Sequence, residues 1–73
     1  MITVDLKKLR RLRKAQMSLE EMSSKLGYHS PNGYYYLETG RSKITAETLA
    51  KAATILRVPI AELFTETDDE NGL

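Results

Sequence analysis

The sequence contains no cysteine and a single histidine, His29. The first absence excludes a disulfide framework and thiolate metal ligands, and one histidine leaves no set of side chains suited to an all-protein metal site. No apolar run approaches the roughly 20 residues that span a membrane, and no signal-peptide pattern opens the chain. A cytoplasmic protein without a membrane partner is therefore expected. The sequence also lacks a glycine-rich phosphate loop and a nucleophile with a base beside it, so catalysis is not expected. Seventy-three residues allow one domain with a thin core. With no disulfide or metal to supplement that core, association with a second subunit is the expected support.

What the sequence does have is an uneven charge distribution beneath a formal net charge of +1. Residues 1–17 carry Lys7, Lys8, Arg10, Arg11, Arg13 and Lys14 against Asp5, a net +5. Residues 18–43 are balanced, and residues 44–73 carry six acids against Lys51 and Arg57, a net −4. A molecule of this kind can turn its basic half towards a polyanion and its acidic end away. The alternative is that residues 7–14 form an ordinary solvated helix face.

Five helical segments are predicted. Leu6, Leu9 and Leu12 recur between the basic side chains and predict an amphipathic helix over 5–15, capped by Asp5. Ile2-Thr3-Val4 before it is too short to classify, either frayed or a brief edge strand. Ser18-Leu19-Glu20-Glu21 has the form of a capping box, and the helix it starts buries Leu19, Met22 and Leu26 before stopping at Gly27. Ser30-Pro31 signals a third helix, with serine as cap and proline at the first helical position, running to Glu38 and ending at Gly40. Thr45 caps a fourth over 46–56, whose inner face carries Leu49, Ala53 and Leu56. Pro59 opens a short fifth with Ile60, Leu63 and Phe64. Residues 65–73 are acidic and nearly free of apolar side chains, and are expected to be a disordered tail after a domain spanning 1–64.

The informative stretch is 18–40: a short capped helix, a break at Gly27, a second short helix and a glycine stop. Two short helices joined by a tight glycine-bearing turn suit a DNA-binding helix-turn-helix. Ser23 places a small side chain where the second helix must approach. Tyr34 and Leu37, at i and i+3, can anchor that helix to the core. Ser30, Asn32, Tyr35, Tyr36 and Thr39 are left for the opposite side, where asparagine can pair with adenine and hydroxyls with base edges or phosphates. A helix cannot bury three consecutive residues on one face, so Tyr34-Tyr35-Tyr36 must expose at least one ring.

These residues carry a family resemblance. The pattern Leu9-x-x-Leu12-Arg13, Ser18-x-Glu20-Glu21-Met22-x-x-x-Leu26-Gly27, Tyr34-x-x-Leu37-Glu38-x-Gly40, Thr48-Leu49-x-x-Ala52 and Ile60-x-x-Leu63-Phe64 resembles the Cro/C1-type (XRE-type) helix-turn-helix family. It is similar to the short phage-type transcriptional regulators of Gram-positive bacteria. No single motif is specific; five in order and spacing, covering 6–64, are.

The resemblance implies an all-α, compact five-helix, lambda-repressor-like domain. It further implies a repressor that binds double-stranded DNA with a palindromic operator as a homodimer, without a cofactor. Localisation would be cytoplasmic and nucleoid-associated, with a protein partner such as an anti-repressor among the means of regulation. Carried onto matching positions, base contacts fall on Asn32, Gly33 and Tyr36, with Tyr35 close by. Phosphate contacts fall on the N-terminus of the second helix at Leu19, on Ser30, and on the loop after Gly40, where Arg41, Ser42 and Lys43 lie. Arg13 and Glu38 form a structural ion pair, and the expected dimer surface includes Leu63 and Phe64. In the family the first helix packs behind the reading unit, so its basic cluster becomes a source of salt-dependent, non-specific affinity where its face reaches phosphates. Three features depart from the common pattern. Leu19 stands where a glutamine is frequent, 27–34 is one residue longer, and the connection before Ser18 is one residue shorter. A protein-interaction module such as an antitoxin or adaptor is the alternative, because tyrosines also anchor protein interfaces.

Overall fold

A computed structural model of the chain describes residues 1–67. In chain order the elements are strand β1 (Ile2–Val4), helices α1 (Leu6–Gln16), α2 (Leu19–Lys25), α3 (Pro31–Glu38) and α4 (Ala46–Leu56), a 3-10 turn (Ile60–Leu63) and strand β2 (Phe64–Glu66). Local sequence signals set most of these boundaries. The Asp5 carboxylate accepts the Lys8 amide at 3.0 Å at the start of α1. At α2 the box closes in both directions, Glu21 N–H donating to Ser18 Oγ and Ser18 N–H to Glu21 Oε1, each at 3.1 Å. Thr45 Oγ1 accepts the Thr48 amide at 3.1 Å to open α4. Each cap satisfies a donor that the first helical turn leaves without an intrahelical partner. Gly27 follows α2 with φ +92°, a backbone region that disfavours residues with a Cβ. Arg57 ends α4 in the left-handed region with φ +60°, where a non-glycine residue is held at a cost of about 1–2 kcal/mol.

One side chain from nearly every element meets in the core. Leu9 of α1, Met22 of α2, Tyr34 of α3, Leu49 and Leu56 of α4 and Leu63 of the 3-10 turn are almost wholly buried. Burying each aliphatic side chain stabilises the fold by about 1.5–3 kcal/mol. These contacts hold together helices of seven, eight and eleven residues, lengths that are marginal for an isolated helix in water.

The chain is mostly helical, and the end of the domain differs from expectation. The fifth α-helix is absent: Pro59 is followed by a single 3-10 turn, and Phe64 leaves it in extended conformation. β2 then pairs antiparallel with β1, with Val4 opposite Phe64, Thr3 opposite Thr65 and Ile2 opposite Glu66. A four-residue segment gains too few i to i−4 bonds to offset helix nucleation, whereas the strand satisfies its backbone groups against β1. The small sheet also means that the domain is not purely α-helical. Thr65 and Glu66, expected at the start of the acidic tail, are strand residues; 68–73 of that tail lie outside the described residues.

Candidate nucleic-acid interface

α2 and α3 form the unit on which the candidate site is built. Ser23, buried on α2, does more than leave room for its neighbour. Its hydroxyl donates to the Ser30 carbonyl at 2.9 Å and accepts the Tyr34 amide at 3.3 Å. One oxygen thus bridges the last residue before α3 and the fourth residue within it. Ser30 occupies the N-cap position, yet its side chain makes no capping bond. The expected serine cap is replaced by a bond from the neighbouring helix, leaving the exposed Ser30 hydroxyl available to an outside acceptor.

The five residues between α2 and α3 hold a contact that sequence reading missed. A Cβ added to Gly33 would lie 2.6 Å from Tyr28 Cδ1 and 2.7 Å from its Cγ. Real Cβ atoms do not approach that closely, so the tyrosine ring packs directly over the glycine. Gly33 was expected to approach a base; the direction in which its side chain would project is instead filled by Tyr28. The half-exposed Tyr28 ring therefore joins the surface at the start of α3. The signal was present in the longer turn, but nothing in the sequence showed that the extra length would seat this ring.

The far end of α3 is fixed by charge. Arg13 Nη2 donates to Glu38 Oε1 at 2.8 Å and Arg13 Nε to Glu38 Oε2 at 3.1 Å, a two-pronged pair from α1 to α3. Both side chains are nearly buried. Burial by itself would raise the Glu38 pKa; the two hydrogen bonds from Arg13 and its positive charge overcome it and hold the carboxyl below its usual value of 4.5. The bond to Glu38 likewise raises the Arg13 pKa against the opposing effect of burial. Burial, and then the Glu38 carboxylate, push the Tyr34 hydroxyl well above the usual phenol range. Charge-assisted, bidentate bonds of this kind are both strong and directional.

With Tyr34, Leu37 and Glu38 turned inward, Asn32, Tyr35, Tyr36 and Thr39 fall on the other face at the i, i+3, i+4 and i+7 positions of a helix. All four are exposed. The Tyr35 and Tyr36 rings lie 5.9 Å apart at 54°, and the Arg41 guanidinium sits 5.8 Å over the Tyr36 ring, within cation–π range. Thr39 turns its hydroxyl back onto the Tyr35 carbonyl at 3.0 Å, which withdraws that donor from outside partners. The loop after α3 is tied to it through Ser42 N–H donating to the Tyr36 carbonyl at 3.1 Å, and Arg41, Ser42 and Lys43 are exposed beside it.

Leu19 begins α2 with its side chain packed against the core, and Glu20 and Glu21 stand in the same turn. Its backbone amide, at the N-terminus of α2, is the group expected to meet a phosphate, and the two carboxylates beside it disfavour an anion there. Leu63 is wholly buried within its own chain and has no surface to offer a partner; Phe64 beside it does, at 38 % exposure. Among the described residues no cluster of metal-ligating side chains occurs, and no helix is long and apolar enough to cross a membrane.

The surface thus combines a rigidly seated helix, a row of hydrogen-bonding and aromatic side chains along it, and flanking cations. A family model described as helix-turn-helix matches residues 6–63. A search of curated proteins found no match. The matched segment contains α1 to α4 and the three contacts that seat α3, and the chain belongs to the Cro/C1-type (XRE-type) helix-turn-helix family of DNA-binding regulators.

Proposed function

We propose that the protein is a sequence-specific transcriptional repressor that occupies a palindromic operator as a homodimer, reading bases with α3. The observation that carries this reading is the outward row of Asn32, Tyr35 and Tyr36 on a helix immobilised at both ends. Asparagine can bond adenine N6 and N7 together, and the tyrosines can meet thymine methyls or phosphates. Ser30, Arg41, Ser42 and Lys43 surround that row and supply contacts to the sugar-phosphate backbone, which set position without reading sequence. The second copy docks at the end of the molecule where Phe64, Ile60 and Ile2 are exposed. A two-fold dimer then presents its reading helices to half-sites roughly one DNA turn, about 34 Å, apart. The protein works in the cytoplasm at the nucleoid, and a protein anti-repressor is one means of relieving it.

Selection of bound duplexes from a random pool tests this directly. Enrichment of an inverted repeat is the expected result; a pool that returns no enriched sequence would sink the reading. Asn32→Ala should lose about 1–3 kcal/mol of discrimination at one base position. Lys43→Ala should weaken all sequences about equally and reduce the salt slope by about one.

The two exposed tyrosines also suit a protein interface, the surface an antitoxin or adaptor would use. Binding to the selected duplex that is absent, or insensitive to salt, would favour that second reading.

A further inference from the structure

Helix α1 sorts its six cations into two groups. Lys8 is paired with Glu62 and Arg13 with Glu38. Lys7, Arg10, Arg11 and Lys14 are exposed and, among the described residues, have no carboxylate within ion-pair distance. They occupy i, i+3, i+4 and i+7 of the helix and line one shallow depression by themselves. Four uncompensated cations held on one face repel each other, and a helix could relieve that with a single i+4 glutamate.

The stripe is continuous with the candidate reading surface. Lys7 and Arg10 line a shallow pocket together with Leu6, Glu38 and Thr39, the last two at the end of α3. A Cβ on Gly40 would meet the Leu6 side chain at 3.3 Å, so the start of α1 is packed against the loop that carries Arg41 and Lys43. Glu38, the acid that lines this pocket, is paired with Arg13. The stripe of positive charge therefore begins beside Thr39 at the end of α3 and follows the outer face of α1. Lys7 and Lys14 are about 10 Å apart along the helix axis, the axial length of about three nucleotides of one DNA strand.

We propose that this stripe is a second DNA-backbone contact, taking the phosphates of the duplex that flanks the site read by α3. The inference rests on the proposed DNA-reading function. It adds a surface that carries no base readout but lengthens the footprint. Its occupant is the same duplex, because the stripe adjoins the end of α3 at Thr39 and α1 packs against the loop that follows.

The test compares two duplexes carrying the site recovered by selection, one trimmed to that site and one extended by about ten base pairs at each end. The wild-type protein should bind the extended duplex more tightly, with a steeper fall of affinity with salt. Each phosphate contact contributes close to one to that slope. A Lys7→Gln, Arg10→Gln, Arg11→Gln, Lys14→Gln variant should lose two to three of the slope and bind both duplexes alike, while keeping the wild-type ranking of single-base changes. Circular dichroism and the urea midpoint establish that the variant is folded, and Lys7→Gln/Arg10→Gln should give an intermediate slope. Equal wild-type slopes on the two duplexes, or a stripe that captures a second duplex regardless of flank length, would overturn the inference while leaving α3 as the reader. Failure of the wild-type protein to bind any duplex would remove the proposed function and this contact together.

Discussion

The two ends of α3 are held by opposite kinds of chemistry. At its start the contacts are neutral and short-ranged: one serine hydroxyl shared between two backbone groups, and a tyrosine ring lying on a glycine. At its end a buried ion pair joins α3 to α1. Neutral hydrogen bonds are indifferent to pH and salt, and they tolerate little change in shape. A buried ion pair is the reverse, because it depends on protonation and leaves an unpaired charge when one partner is lost. Acid therefore loosens the end of the candidate reading helix held by Glu38, and a change of side-chain shape loosens its start.

Breaking the charged end should have the largest effect. Glu38→Ala strands the Arg13 guanidinium in a nearly buried position and should destabilise the fold by about 3–5 kcal/mol, read from urea unfolding. Replacing both partners, as Arg13→Met with Glu38→Leu, should recover most of that loss, since a buried pair adds little over well-packed apolar side chains. A double variant as unstable as the single one would show that the pair does more than fix geometry.

The neutral end comes next. Ser23→Ala leaves the Tyr34 amide without its acceptor and should cost about 1–3 kcal/mol, with no dependence on pH between 3 and 7. Gly33→Ala sets two effects against each other: a gain of up to about 1 kcal/mol in helix propensity and an overlap with Tyr28 of about 1–3 kcal/mol. It should be destabilising in the wild-type background and stabilising when combined with Tyr28→Ala. That reversal of sign, measured by thermal unfolding, separates the contact from any general intolerance of α3.

Acid should act on the charged end alone. Glu38 is held below its ordinary pKa in the folded protein, so its contribution is fully present above about 4.5 and disappears as pH falls through the lower folded value. An acid titration should therefore destabilise the wild-type protein more than a Glu38→Gln variant over that range. The smallest effect is expected at the exposed pair of Lys8 and Glu62. Lys8→Ala should leave the urea midpoint unchanged within error, because solvent screens such pairs.

Sequence was a good guide where the cause of structure lies within one turn of helix. Ser30 is the exception, since Ser23 of the neighbouring helix takes over its capping role. Asp5, the box of Ser18 and Glu21, and Thr45 each act on a residue three positions away, so their role can be seen in the sequence alone. The inward pair Tyr34 and Leu37 also follows from spacing, as does the outward position of Tyr35 and Tyr36. What escaped depends on residues far apart. Ile60, Leu63 and Phe64 fit a helical turn as well as they fit what is observed, and only the distant Val4 decides that Phe64 is a strand residue. Leu63 looked free because the core that covers it comes from α1 and α4. Tyr28 over Gly33 depends on the path of a turn, which composition does not encode.

The pairing of β1 with β2 places the first and last described residues side by side, with Thr67 N–H donating to the Met1 carbonyl at 2.8 Å. A domain whose ends meet can be spliced into a loop of a host protein, entering and leaving through adjacent points. The helix-turn-helix could thus be carried as a module on another scaffold without a long spanning linker.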